Sequence, residues 1–222
     1  MKKLLLTIVL STLYVSSASA EMGVNVGVSG QAGIFAASAT ESTGTTKKGN
    51  GTEHGSAGWG SVFIEGTFND RFIIGIDYVP QSLETDTTET AKSNLGAGGV
   101  ETPASTVATN KVQVDFEDLT TLYAGLMLTD NLYVKAGVTT VDVITNENLG
   151  TGASYANAEL DGTMFGIGYH NALDNGVFFR FEGNYMTFDG ATVTSTGTAA
   201  NNKIQLRNLD GVSGKLSIGK TF

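Results

Sequence analysis

The sequence has no cysteine, and its 222 residues include two histidines and two prolines. Without cysteine there are no disulfides, no thiolate nucleophile and no thiolate-ligated metal. With His54 and His170 as the two imidazoles, no His/Cys spacing suits zinc. Basic residues are scarce as well, 13 Lys and Arg against 22 Asp and Glu. That balance argues against a nucleic-acid partner, because phosphate binding needs a basic face. Past residue 20 no apolar run approaches the roughly 20 residues that a membrane-spanning helix requires. If the chain crosses a membrane, it crosses as strands, and a closed barrel is what leaves no strand edge unpaired in lipid.

What is present begins with export. Residues 1–20 read MKKLLLTIVLSTLYVSSASA, with Lys2 and Lys3, an apolar stretch from Leu4 to Val15, and the small residues Ala18-Ser19-Ala20. This is the pattern of a secretory signal peptide, and no cysteine beside the cut suggests a lipid anchor. The expected organisation is therefore a signal peptide over 1–20 and one domain over 21–222. Removing Lys2 and Lys3 leaves 11 basic residues against 22 acidic ones.

Eight segments alternate between apolar and polar residues with the period of a strand. In the first, Val24, Val26, Val28 and Ile34 alternate with Asn25, Ser29 and Gln31. Later ones set Ile64 against Glu65, Ile76 against Asp77, Val134 against Lys135, and Phe179 and Phe181 against Arg180 and Glu182. Three connections between them are short, at 69–71, 129–131 and 170–176. Four are long and rich in Thr, Ser, Asn and Gly, at roughly 38–57, 80–110, 144–160 and 189–202. Long structureless loops are uncommon inside a compact domain. An antiparallel meander closed between its first and last strands accounts for them, with the long loops at one rim and the short turns at the other. The expected fold is all-β, an eight-stranded antiparallel up-and-down transmembrane β-barrel.

Alternation alone leaves open which face points in. A soluble ligand carrier turns its apolar face inward, and a membrane barrel turns it outward. The polar face carries Glu65, Asp77, Asp115, Glu117, Lys135, Arg180, Glu182, Arg207 and Lys215, four basic and five acidic groups. Such a near-balanced set suits a packed interior, where each buried charge needs a partner, although a wet surface also mixes charges. Phe68 and Phe72 flank the first short turn, while Tyr78 and Tyr185 lie toward the other strand ends. Two levels of rings match the aromatic girdles of membrane barrels.

The chain ends in GKLSIGKTF, on a phenylalanine. With Gly214, Leu216, Ile218 and Phe222 on one phase, this segment resembles the C-terminal signal of bacterial outer-membrane β-barrels. Lys220 departs from the pattern, which usually has an apolar residue there. The architecture resembles the small barrels of the outer membrane protein A, X and W type. The resemblance implies a bacterial outer-membrane location, contact with outer-membrane lipid and surface glycolipid, and recognition of the last strand by the barrel-assembly machinery. No further domain is expected after Phe222.

Little chemistry is encoded. His54 stands beside Glu53 and Ser56 in the first long connection, and His170 opens the third short turn, so the two imidazoles are expected at opposite ends. Glu84, Asp86, Glu89 and Glu101 offer oxygen ligands without a calcium-loop spacing, and LGAGG at 95–99 lacks the Lys-Ser/Thr of a phosphate loop. No enzyme activity, cofactor or metal is expected. Eight strands leave an interior just wide enough for side chains. The leading expectation is a plugged barrel that anchors long extracellular interaction loops of unknown partner. The alternatives are a narrow porin-like channel for small or apolar solutes, and a soluble lipocalin-like carrier.

Overall fold

The computed structural model describes residues 22–43, 46–85, 87–93, 107–148, 153–197 and 202–222, so the expected signal peptide lies outside the described residues. Eight strands form the wall. They are β1 (Met22–Thr43), β2 (Thr46–Phe68), β3 (Phe72–Tyr78) and β4 (Val107–Met127), then β5 (Leu132–Asn148), β6 (Ala158–Ala172), β7 (Val177–Phe188) and β8 (Asn202–Thr221). Each pairs antiparallel with the next, and β8 returns to β1 with a register running from Asn25↔Thr221 to Thr43↔Asn202. The last residue is inside this seam. Phe222 N–H donates to Val24 O at 2.8 Å, and Val24 N–H donates to Phe222 O at 3.1 Å.

The short turns have local causes. Asn69 and Asp70 take φ of 51° and 53°, and Arg71 N–H donates to Phe68 O at 3.1 Å. Two consecutive positive φ angles fit the right-handed twist of the flanking strands, and Asn and Asp accept them best after Gly. In the second turn Thr129 Oγ1 accepts the Leu132 N–H at 2.9 Å. The third closes on Gly176, at φ 80°, whose N–H donates to Leu173 O at 2.9 Å.

Burial decides the orientation. On β7, Phe181 is 66% exposed while its neighbours Arg180 and Glu182 are each 5% exposed. The same holds around the ring: Val28, Ile34, Ile74, Phe165 and Leu216 face out, and Asn25, Glu65, Asp77, Lys135 and Lys215 face in. The soluble-carrier alternative is thereby overturned, since it requires the reverse. An apolar belt with a charged interior is the transmembrane form of the barrel. Phe72 and Tyr169 stand at its short-turn border, and Tyr78 and Tyr185 at the other.

The long connections differ from the expectation of open loops. Across 38–57 the β1–β2 ladder continues up to Thr43↔Thr46. Leu83–Glu84 and Thr88–Ser93 pair along β4, Ala153–Ser154 pairs with Thr196–Gly197, and Thr192–Thr194 pairs with β8. Within β2 the run 51–56 is exposed throughout, so both of its faces meet water and no apolar phase marks it as a strand. Backbone pairing continues there without it.

The interior also departs from the uniformly polar lining that the alternation implies. Toward the long-connection end, Trp59, Val79, Leu119, Val141, Leu160, Met164, Met186, Phe188 and Leu209 form a buried apolar cluster. On β2, β5, β7 and β8 the same inward phase carries Glu65, Lys135, Arg180, Glu182 and Lys215 nearer the short turns, so the inner wall is layered.

Candidate functional site

The lower layer of the interior is built from three ion pairs, each joining strands that are not neighbours. Arg180 on β7 donates through Nη2 to Glu65 Oε1 on β2. Lys135 Nζ on β5 donates to Glu182 Oε2 on β7 at 2.6 Å. Lys215 Nζ on β8 donates to Asp77 Oδ2 on β3. All six residues are buried. The period-2 geometry of the strands supplies the placement, because residues 180 and 182 share a face two positions apart.

Neutral groups complete the coordination. Asn25 Nδ2 donates to Glu65 Oε1 at 2.9 Å, and Tyr123 Oη donates to Glu65 Oε2 at 2.7 Å. Tyr133 Oη donates to Glu182 Oε1. Arg180 Nε donates to His170 Nδ1 at 3.0 Å. Arg180 is also enclosed by rings: its guanidinium carbon lies 4.6 Å from the centroid of Phe178, 5.4 Å from Tyr133 and 5.8 Å from Phe63. A cation over aromatic faces gains attraction where water is excluded. Phe63 and Phe178 also pack on each other, with ring centroids 6.2 Å apart, so the guanidinium sits among rings that contact one another.

The rings fit because glycine faces them. A Cβ at Gly168 would lie 2.4 Å from Tyr133 Cζ, and one at Gly27 would lie 2.4 Å from Phe63 Cζ. The bare backbone lets each ring lie against the wall, leaving the axis to the ion pairs.

No protein-family profile matches the sequence, and no curated protein matches it. Solved structures do. The outer membrane protein OprG from Pseudomonas aeruginosa aligns at 15% identity and a TM-score of 0.56, over 90% of this chain and 96% of that one. The outer membrane protein AlkL, solved in lipid bilayers, aligns at 14% identity and a TM-score of 0.50, over 93% of each chain. The chain has the fold of the small outer-membrane β-barrels. A third match, the outer membrane protease OmpT from Escherichia coli, aligns at 8% identity and a TM-score of 0.45, over 93% of this chain and 99% of that one.

The barrel brings together six of the nine charged residues of the polar phase and leaves three out. Glu117 and Arg207 are exposed, and Asp115 is half-buried. Asp115 accepts from Asn146 Nδ2 at 2.5 Å and from Gln113 Nε2 at 3.3 Å instead of reaching the ion pairs. Two bulges are the reason. On β4 the register slips between Glu117 and Thr120, around Asp118 at φ 55°. On β8 Asn208 pairs with Ser38 and Leu206 with Ala39, so Arg207 is the extra residue. One inserted residue exchanges the two faces of a strand. Below the bulge Leu119, Thr121 and Tyr123 face in, whereas beyond it Phe116 packs on the apolar cluster and Glu117 turns out.

Gly214, Leu216, Ile218 and Phe222 all lie on the exposed face of β8, and Phe222 is 75% exposed. Lys220 shares that side, with its ammonium 5.5 Å from the Phe222 ring. Sequence reasoning did not single out Asn25, Tyr123, Tyr133, Phe178 or His170 as partners of the charges. All five occupy the inward phase of their strands, and that phase is the available signal. His54 and Ser56 share one face of β2 and Glu53 the other, since neighbours in a strand point apart. Asp86 and Glu101 lie outside the described residues, as does the run at 95–99.

Proposed function

We propose that the protein is a closed structural barrel of a bacterial outer membrane, an anchor that presents the extended strands and connections of its long-connection end to the outside. The observation that carries this reading is the set of three ion pairs across the interior. A solute moving along the axis meets Lys215–Asp77 and Lys135–Glu182, then Arg180–Glu65 with the rings of Phe63, Phe178 and Tyr133 around the guanidinium. Breaking one buried pair leaves a charge uncompensated at a cost of about 3–5 kcal/mol, so a path does not open by small fluctuations. Binding functions concentrate in connections held on a rigid scaffold, and lipid, surface glycolipid and the barrel-assembly machinery are the partners that fit this reading. It includes no catalysis: His170 is engaged by Arg180, and Glu53 faces away from His54 and Ser56.

The runner-up is a narrow channel for small or apolar solutes. The apolar cluster around Trp59, Met164 and Met186 favours it, since an apolar solute would find matching walls at that end. The charged layer beneath opposes it.

Single-channel recording of the folded protein in a planar lipid bilayer tests the choice. Verified insertion with no conductance supports the closed anchor. Discrete openings that change with substitution at Arg180 or Glu182 would establish the channel instead.

A further inference from the structure

Where the ionic layer meets the apolar cluster, the interior holds a cavity of about 20 Å³. Its apolar walls include Val79, Leu119 and Met164, and its polar walls include Trp59, Asn184 and Lys215. Two of these polar groups are unpartnered among the described residues, the Trp59 Nε1–H donor and the Asn184 Oδ1 acceptor. Trp59 is 4% exposed and Asn184 7% exposed, so bulk solvent does not serve them.

The Asn184 amide has a defined orientation. Its Nδ2 faces Glu182 Oε2 at 3.5 Å, and reversing the amide would set its oxygen against a carboxylate. Oδ1 is therefore the end left over. A buried acceptor or donor without a partner costs about 1–3 kcal/mol. Both occur at one cavity, on strands β2 and β7, and their hydrogen-bonding characters are complementary.

We propose that this cavity is a binding site for ordered water, held by the Trp59 indole N–H as donor and the Asn184 carbonyl oxygen as acceptor. The volume fits: a buried water needs at least about 10–15 Å³ and two to four polar partners. A water there accepts from Trp59, donates to Asn184, and has the Lys215 ammonium on the same wall. Larger polar solutes do not fit. The water ties the charged layer to the apolar one at the level where the wall changes character, and satisfies the two groups that the side chains leave open.

Trp59 is the single tryptophan of the chain, so the site reports on itself. In water-edited solid-state NMR of the full protein in lipid bilayers, the lone indole N–H receives magnetisation directly from water. Asn184→Leu shifts that resonance, while an Ile218→Val control on the lipid face leaves it unchanged. An indole that receives no transfer at mixing times where exposed amides do would mean a dry cavity and overturn the proposal. The wild-type measurement decides even where Asn184→Leu fails to fold. Electrical silence or conductance is a separate observation, so failure here leaves the closed-anchor reading to its own test.

Discussion

Arg180 and Glu65 lie 115 residues apart in sequence and meet inside the barrel, the guanidinium of β7 bonded to the carboxylate of β2. Both are buried, and Glu65 has its remaining capacity filled by Asn25 and Tyr123. This contact joins two opposite parts of the wall and fills the axis between them.

The pair should behave as a unit. Glu65→Gln keeps the shape but leaves the Arg180 charge without its counterion, and folded stability should fall by about 3–5 kcal/mol. Glu65→Gln combined with Arg180→Met removes both charges and should cost less than either single change. Denaturant titration of the refolded protein in detergent micelles, in a double-mutant cycle, measures this. A double variant as unstable as the sum of the singles would mean that the charges act independently.

The lipid-facing phase makes the opposite demand. Phe181, midway along β7, is 66% exposed and lies on the apolar belt. Phe181→Arg should destabilise the barrel in lipid by about 2–4 kcal/mol, as expected near the bilayer midplane. On a soluble barrel the same change would be nearly neutral. Urea-dependent folding into liposomes, followed by gel mobility, gives the comparison.

Phe222 separates assembly from stability. Its backbone closes the β1–β8 seam through Val24, yet its ring is 75% exposed. Phe222→Ala keeps those backbone bonds, so the unfolding midpoint of folded protein should barely move. If the ring is a recognition element, the same variant should assemble several-fold more slowly in cells, read as the rate at which the heat-resistant folded band appears. An unchanged rate would remove the recognition role.

How much of this was legible in the sequence depends on the level. The strands and their order followed from period-2 alternation, and the short turns from the breaks at 69–71, 129–131 and 170–176, the last of which shrinks to 173–176 because β6 runs on to Ala172. Although alternation alone left its direction open, the polar phase was visible too, which is why Glu65, Asp77, Lys135, Arg180, Glu182 and Lys215 stood out together. Their partners were not, because which strands face each other depends on closure and tilt. The phase failed at Glu117 and Arg207, where bulges near Asp118 and at Arg207 itself exchange the faces without altering composition. The paired extensions above the belt were missed for another reason. Residues 51–56 of β2, exposed on both sides, carry no apolar phase to read.

The account rests most directly on which face of β7 meets lipid, and the cysteine-free sequence makes the measurement clean. Single cysteines placed in turn at Phe179, Arg180, Phe181, Glu182, Gly183, Asn184 and Tyr185 would carry nitroxide labels in the reconstituted protein. The account predicts high accessibility to membrane-dissolved oxygen at 179, 181, 183 and 185, and low accessibility at 180, 182 and 184. The reverse alternation, with 180, 182 and 184 exposed to lipid or water, would contradict the inward charged layer and the closed barrel built on it.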